Sequence, residues 1–245
     1  MVLVSVAATI AVGMVLARLM GFRLFFGLLT GGAVAICGAS AALALSAAMP
    51  AHPLKERATL FTVIGVSTLS TLAMVLYPML TRALDMPPLM AGFFIGGTIH
   101  DVAQVVGAGY SMGQQTGDTA TVVKLMRVAM LVPVIVVAAW MTRATHAQSA
   151  NSEAAGAPAS RPPLLPWFAV VFVLLVLLNS LLPLPEVVVS TGHGLSRAFL
   201  VAAMAAIGIK THLKDILSVG WKPVALMLLE TVFLAVLVYM LLLQR

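Results

Sequence analysis

A chain of 245 residues that is 61% hydrophobic and only 9% charged, with a mean hydropathy of +1.08, cannot cover a water-facing surface, since soluble domains carry about 25% charged residues. Its net charge of +6 comes largely from basic residues in short connectors between apolar runs, the pattern of cytoplasmic loops, and no basic patch interleaved with aromatics suggests nucleic acid. The single cysteine, Cys37, excludes an intrachain disulfide framework and a cysteine-based metal cluster.

Eight hydrophobic units follow along the chain, at 2–20, 24–49, 58–81, 88–112, 121–142, 164–182, 187–209 and 221–243. Several reach the roughly 20 apolar residues that cross a bilayer core as a helix, and they are continuous rather than alternating, which excludes a β-barrel. The expected fold is an all-α, polytopic membrane helix bundle. Residues 1–20 lack the basic start of a signal peptide, so the chain begins inside a helix. Prolines break the units at Pro50 and Pro53, Pro87 and Pro88, and Pro183 and Pro185. Residues 144–163 are small, polar and proline-ended. They read as a flexible loop between a first helical group, 1–143, and a second, 164–245.

If each unit crosses once, Arg18, Arg23, Arg82, Arg143, Arg161, Lys210, Lys214 and Lys222 fall on one side, and Lys55, Arg57 and Arg245 on the other. The first side is then cytoplasmic and Met1 is extracytoplasmic, which predicts further helices ahead of Met1.

Unit 24–49 contains 31-GGAVAICGASAALALSAAMP-50, dense in glycine, alanine and serine. Such composition permits close helix approach and suits an unwound point between half-helices. Gly38 marks this interruption. Unit 88–112 has the same character at Gly97, and Gly208 precedes a third polar cluster.

The ionisable residues within spans are functional candidates, because their burial in lipid is costly. His100, Asp101 and Gln104 lie within five residues, and on a continuous helix Gln104 shares a face with both. They read as a substrate or proton site, or His100 and Asp101 as caps of a half-helix, Asp being a good N-cap. Lys124 and Arg127, three apart, face one way on an apolar helix expected to begin near Asp118. They need a carboxylate partner, Asp101 or Glu230, or an anionic ligand, unless they snorkel to the headgroups. Glu230, isolated at mid-span, either binds a proton or a cation, pairs with one of those cations, or makes a neutral interhelical hydrogen bond. Cys37 and Ser40 lie at the first interruption, where their thiol and hydroxyl either contact substrate or serve close helix packing, the favoured reading for Cys37. No nucleophile–base pair, Walker loop or metal-ligand cluster appears, so neither enzyme activity, cofactor nor metal is expected.

The motifs ICGASA (36–41), GGTIHDVAQVVGAG (96–109), ATVVKLMRVAMLVPV (120–134) and AAIGIKTHLKDILSVGWKP (205–223) resemble, in order and spacing, the bacterial YeiH-like family, whose members are labelled sulfate exporters. The resemblance covers nearly all of the chain. It implies a multi-pass inner-membrane protein related to the cation:proton antiporter and anion transporter superfamily. Such proteins have inverted repeats and discontinuous helices crossing near the midplane. Gly208, Lys210 and Thr211 would then mark the second-repeat counterpart of ICGASA. The implied function is secondary transport of a small anion, such as sulfate or a related sulfur oxyanion, with Ser40, His100, Asp101, Gln104, Lys124 and Arg127 at the substrate and His100, Asp101 or Glu230 carrying protons. A homodimer is a possible assembly. Family members carry helices before the segment equivalent to residues 1–20; three would restore a cytoplasmic N-terminus, and a misassigned start is the expected reason for their absence. A cation:proton antiporter and a truncated, non-transporting membrane protein are the competing readings.

Overall fold

The computed structural model describes residues 1–49, 53–149 and 221–244, with scattered helical positions between 171 and 202. The expected units 164–182 and 187–209, as continuous helices, and the polar cluster at 205–215 lie outside the described residues. Every described element is helical: α1 Val2–Leu19, α2 Leu24–Ala35, α3 Ala39–Ala48, α4 Lys55–Ala83, α5 Pro88–Thr98, α6 Val102–Met112, α7 Gln114–Ala129, α8 Leu131–Ser149 and α9 Trp221–Leu243. The spans Val2–Leu19, Lys55–Ala83, Gln114–Met141 and Trp221–Leu243 are long and apolar enough to cross a membrane, and the protein is a multi-pass membrane protein. α8 continues through Ser149, into the segment expected as a polar loop.

Burial follows the bilayer rather than water. His100, Lys124, Arg127 and Glu230 are fully buried, whereas Leu19, Trp140, Val75 and Met79 are more than half exposed. Apolar side chains outside and ionisable ones inside are the distribution a lipid solvent selects.

Units 24–49 and 88–112 do not cross. Each is interrupted and folds back. At 1.5 Å per residue, α2 and α3 are about 18 and 15 Å long, and α5 and α6 about 16 Å each, half of a hydrocarbon core of about 30 Å. In the first unit, a methyl built on Gly32 would strike the Leu45 side chain, a contact impossible along a straight helix. Phe25 and Phe26 at the start of α2, Met49 after α3 and Phe61 in α4 line one cleft of about 690 Å³. Both ends of the unit therefore lie at the same end of the bundle. In the second unit, methyls built on Gly92 and Gly109 would come 2.9 and 3.5 Å from the same Thr116 carbonyl. Thr116 Oγ1 also donates to the Pro88 carbonyl at 3.1 Å. α7 thus runs parallel to α5 and antiparallel to α6.

The interruptions have local causes. Gly38, with φ +66 and ψ −126, turns the first hairpin in a conformation closed to side chains. The second hairpin turns where Ile99 and Asp101 are extended, after which the Asp101 carboxylate restarts the helix by accepting from the N–H groups of Ala103 at 2.8 Å and Gln104 at 3.3 Å. Pro88 occupies the first turn of α5, where its missing N–H costs nothing. Non-helical backbone at membrane depth is tolerated only inside protein, and both tips are enclosed.

α4, at 29 residues or about 43 Å, carries the chain from the base of the first hairpin to the base of the second. The hairpins therefore enter from opposite ends and meet near the middle, where Gly38 lies against His100. This re-sorts the charges expected from single crossings. Arg23, Lys55 and Arg57 share one cleft with Pro223, so Lys55 and Arg57 join the end that holds Arg18 and Lys222, and Arg82 moves to the opposite end. Among the described residues the basic side chains thus gather mainly at one end of the bundle.

α9, grouped by sequence with 164–245, packs among helices of 1–143. Methyls built on Gly65 of α4, Gly13 of α1 and Gly97 of α5 would meet Met227, Glu230 and Val238 respectively. α1 and α2 touch backbone to backbone, a methyl on Gly27 falling 2.6 Å from the Gly13 carbonyl, the small-residue packing of membrane helices.

Candidate functional site

The site is the place where the two hairpin tips meet. α2 and α5 end there, so each turns its last carbonyls, a negative dipole end, toward the middle of the membrane. Two cations from α7 meet those carbonyls. Lys124 Nζ donates to Ile36 O at 2.7 Å, to Ile99 O at 3.0 Å and to His100 O. Arg127 donates through Nε to Ala35 O and through Nη2 to Val34 O, both at 2.8 Å, and through Nη1 to Gly96 O and Ile99 O, both at 3.2 Å. An ammonium has three donors, and all three are used. A guanidinium has five, and four are used. The two side chains fasten both tips to α7 and neutralise two helix C-termini, and they keep almost no hydrogen-bonding capacity for a ligand. Among the described residues no carboxylate accepts a hydrogen bond from either cation. The expected pairing of Lys124 or Arg127 with Asp101 or Glu230 is not found, because main-chain carbonyls supply the compensating charge.

α3 and α6 begin at the same place and turn positive N-terminal ends toward it. The α6 end is capped by Asp101, as one sequence reading expected. The α3 end begins at Gly38 with no side-chain cap. Ser40, exposed one residue into α3, donates to Cys37 O at 3.1 Å and lies 2.9 Å from Cys37 Sγ.

His100 is fully buried and its Nε2 lies 3.0 Å from Thr231 Oγ1. The Thr231 hydroxyl also lies 2.8 Å from Met227 O; with its proton on that carbonyl, Nε2 carries a hydrogen and acts as donor. Nδ1 is left buried without a partner. Gln104 Nε2 donates to Thr71 Oγ1 at 3.1 Å, and its Oε1 has no partner.

Residues 1–227 match the family model described as conserved hypothetical protein 698. The chain belongs to that family. Among relatives, a UPF0324 membrane protein of Chlorobaculum tepidum is 51% identical over 97% of this chain and 64% of its own length. The UPF0324 membrane protein TauZ of Paracoccus denitrificans is 50% identical over 97% of this chain and 69% of its own length. A UPF0324 membrane protein of Rhizobium meliloti is 45% identical over 95% of this chain and 66% of its own length. The chain thus spans about two thirds of the length of these curated relatives. No solved structure matches it.

In this member of the family the residues expected at the site separate into groups. His100, Asp101, Lys124 and Arg127 come together at the tips, with Ser40 beside them. The expected helical face shared by His100, Asp101 and Gln104 does not form, because α6 starts only at Val102. His100 turns to α9, and Gln104 to α4. Gly97 lies inside α5, packed on Val238 at 3.0 Å for a built methyl, and the interruption falls after it. Gly208, with Lys210 and Thr211, lies outside the described residues; among the described residues the interruption facing Gly38 is Ile99–Asp101. Glu230 is reached by neither cation. Its Oε1 accepts from Thr30 Oγ1 at 2.8 Å, and its Oε2 has no partner.

Sequence reasoning missed four hydroxyls: Thr30 and Thr231, which serve Glu230 and His100, and Ser70 and Thr71 of α4. Ser70 Oγ accepts from the Asp101 N–H at 3.0 Å. The signal available was the run Ser67, Thr68, Ser70, Thr71 inside an apolar span, since such hydroxyls satisfy neighbouring helices in membranes.

Proposed function

We propose that this chain forms the core of a secondary transporter for a small anion, with sulfate or a related sulfur oxyanion as the substrate class. The observation that carries the reading is the distribution of charge at the tips. Lys124 and Arg127 cancel the negative ends of α2 and α5. Asp101 occupies the positive end of α6. The α3 N-terminus carries no carboxylate cap, its Ala41 N–H meeting only the Cys37 thiol, and it is left as the uncompensated pole with a partial positive charge suited to an anion. Ser40 adds a hydroxyl beside it. His100 Nδ1, unpartnered, becomes an N–H donor when the ring is protonated, which links proton uptake to anion binding. Two hairpins entering from opposite ends also support an inverted-repeat architecture for alternating access.

The two cations hold the site together rather than touching substrate. Of the two carboxylates a cation:proton antiporter could use, Asp101 is committed to the cap of α6 and Glu230 is bonded to Thr30 within α2, away from the tips, which favours the anion at the tips. The test is reconstitution in liposomes loaded with labelled sulfate, sulfite and small sulfonates, with and without a pH gradient. Efflux that falls in His100→Gln and Ser40→Ala supports the reading. If none of these anions moves, the reading fails, and Na⁺- or K⁺-dependent proton flux abolished by Glu230→Gln would replace it with the antiporter.

A further inference from the structure

We propose that Glu230 is a proton-binding site whose state is transmitted to both hairpins, through the Thr30 hydroxyl on one and through the neighbouring Thr231 on the other. It stands apart from the anion reading and holds whatever the protein transports.

Glu230 is fully buried. Among the described residues it meets no cation. α2 has no charged residue, and α1 and α4 carry charge only toward their ends, at Arg18, Lys55, Glu56, Arg57 and Arg82. The ionisable groups nearer the membrane centre are committed elsewhere: Lys124 and Arg127 to carbonyls, His100 to Thr231, and Asp101 to the start of α6. A lone carboxylate in such surroundings is costly, and taking up a proton removes the charge. Gly13 lets the carboxyl sit hard against α1, since a methyl there would fall 2.6 Å from Oε1. Oε2 has no partner, nor has the Thr9 hydroxyl of α1.

The Thr30 hydroxyl has one proton and three competing acceptors, Glu230 Oε1 at 2.8 Å, the Phe26 carbonyl at 3.1 Å and the more distant Gly27 carbonyl at 3.5 Å. When Glu230 is ionised, Thr30 donates to the carboxylate. When Glu230 is protonated, its own O–H donates to Thr30 Oγ1, and the threonine proton returns to Phe26 O. That back-bond is known to bend helices, and Thr30 lies midway along α2, the leg that leads to the tip of the first hairpin. The next residue of α9, Thr231, holds His100 at the tip of the second hairpin. Consecutive residues of one helix thus bind both hairpins, so a change of charge at Glu230 acts on the place where they meet.

Cys37, 4% exposed at the first tip and the chain's single cysteine, is a native reporter. The experiment measures the rate of its alkylation by a membrane-permeant maleimide in detergent-purified protein from weakly acid to alkaline pH. Wild type is divided by Glu230→Gln at each pH, which cancels the titration of the thiol itself. The expected ratio is near one at acid pH. It shifts by about fivefold, the worth of one net hydrogen bond, as pH rises and only the wild type ionises. Thr30→Val should shrink that shift. A ratio constant across the range overturns the proposal. If Glu230→Gln is not monodisperse, the wild type to Thr30→Val ratio carries the same test, and its constancy overturns the proposal equally. Transport is not measured, so a negative result leaves the anion reading intact.

Discussion

Replacing Arg127 by methionine removes the clamp on both tips while keeping an apolar side chain of similar length. Val34 O, Ala35 O and Gly96 O have no other donor among the described residues, whereas Ile99 O is also held by Lys124. Arg127→Met therefore orphans three carbonyls. Each buried acceptor left unpaired costs about 1–3 kcal/mol, and relief from burying a guanidinium offsets part of the sum, so a loss of about 3–5 kcal/mol is expected. Lys124→Met orphans only Ile36 O and His100 O and should cost less. The sharper outcome is the double variant, because only there does Ile99 O lose both donors. Mutual repulsion of the two cations, relieved once in the double variant but counted in each single one, adds with the same sign. The double loss should exceed the sum of the single losses by about 1–3 kcal/mol. The measurement is equilibrium unfolding in mixed micelles of mild and denaturing detergent. A single-variant loss under about 1 kcal/mol, or strict additivity, would refute the clamp.

Three further outcomes follow from close approaches and caps. Gly96→Ala drives a methyl into the Ala120 backbone and should separate α5 from α7 at a cost of about 3 kcal/mol or near it, whereas Gly65→Ala meets only the flexible end of Met227 and should cost under about 1 kcal/mol; melting temperatures in detergent compare them. Gly38→Ala has space, the nearest atom being His100 Cβ at 3.6 Å, so its expected loss of about 1–3 kcal/mol is backbone strain, and it should persist when His100 is also shortened to alanine. Asp101→Ala removes the cap of α6 and should cost about 1 kcal/mol, while Asp101→Asn, still an acceptor, retains most of it; amide exchange at Ala103 and Gln104 reports the cap directly.

Hydropathy made much of the fold legible before any coordinates. The long runs at 2–19, 55–83 and 221–243 are helices because apolar residues of that number satisfy both the bilayer and their own backbone. The weak points in 24–49 and 88–112 were also readable from their small residues. The burial of Glu230 could be expected from its mid-span position, whereas for Lys124 and Arg127 the sequence left burial and snorkelling to the headgroups both open. Their partners could not, because a main-chain carbonyl is the same in every residue and leaves no mark on the sequence. A cation in a span reads as seeking a carboxylate, and here it found two helix ends.

Composition alone thus determined that the chain is an all-helical membrane protein with interrupted helices and ionisable groups inside. Tertiary structure decided that the interrupted units double back, which places Lys55 and Arg57 beside Arg23 and brings the tips together. The physical reason is that a glycine or an extended residue breaks a helix without giving the chain a direction. In the second unit, Gly92, Gly96, Gly109 and Gly117 provide the direction by letting α5 and α6 press on the same helix, α7. Such a choice rests on contacts between residues far apart in the chain.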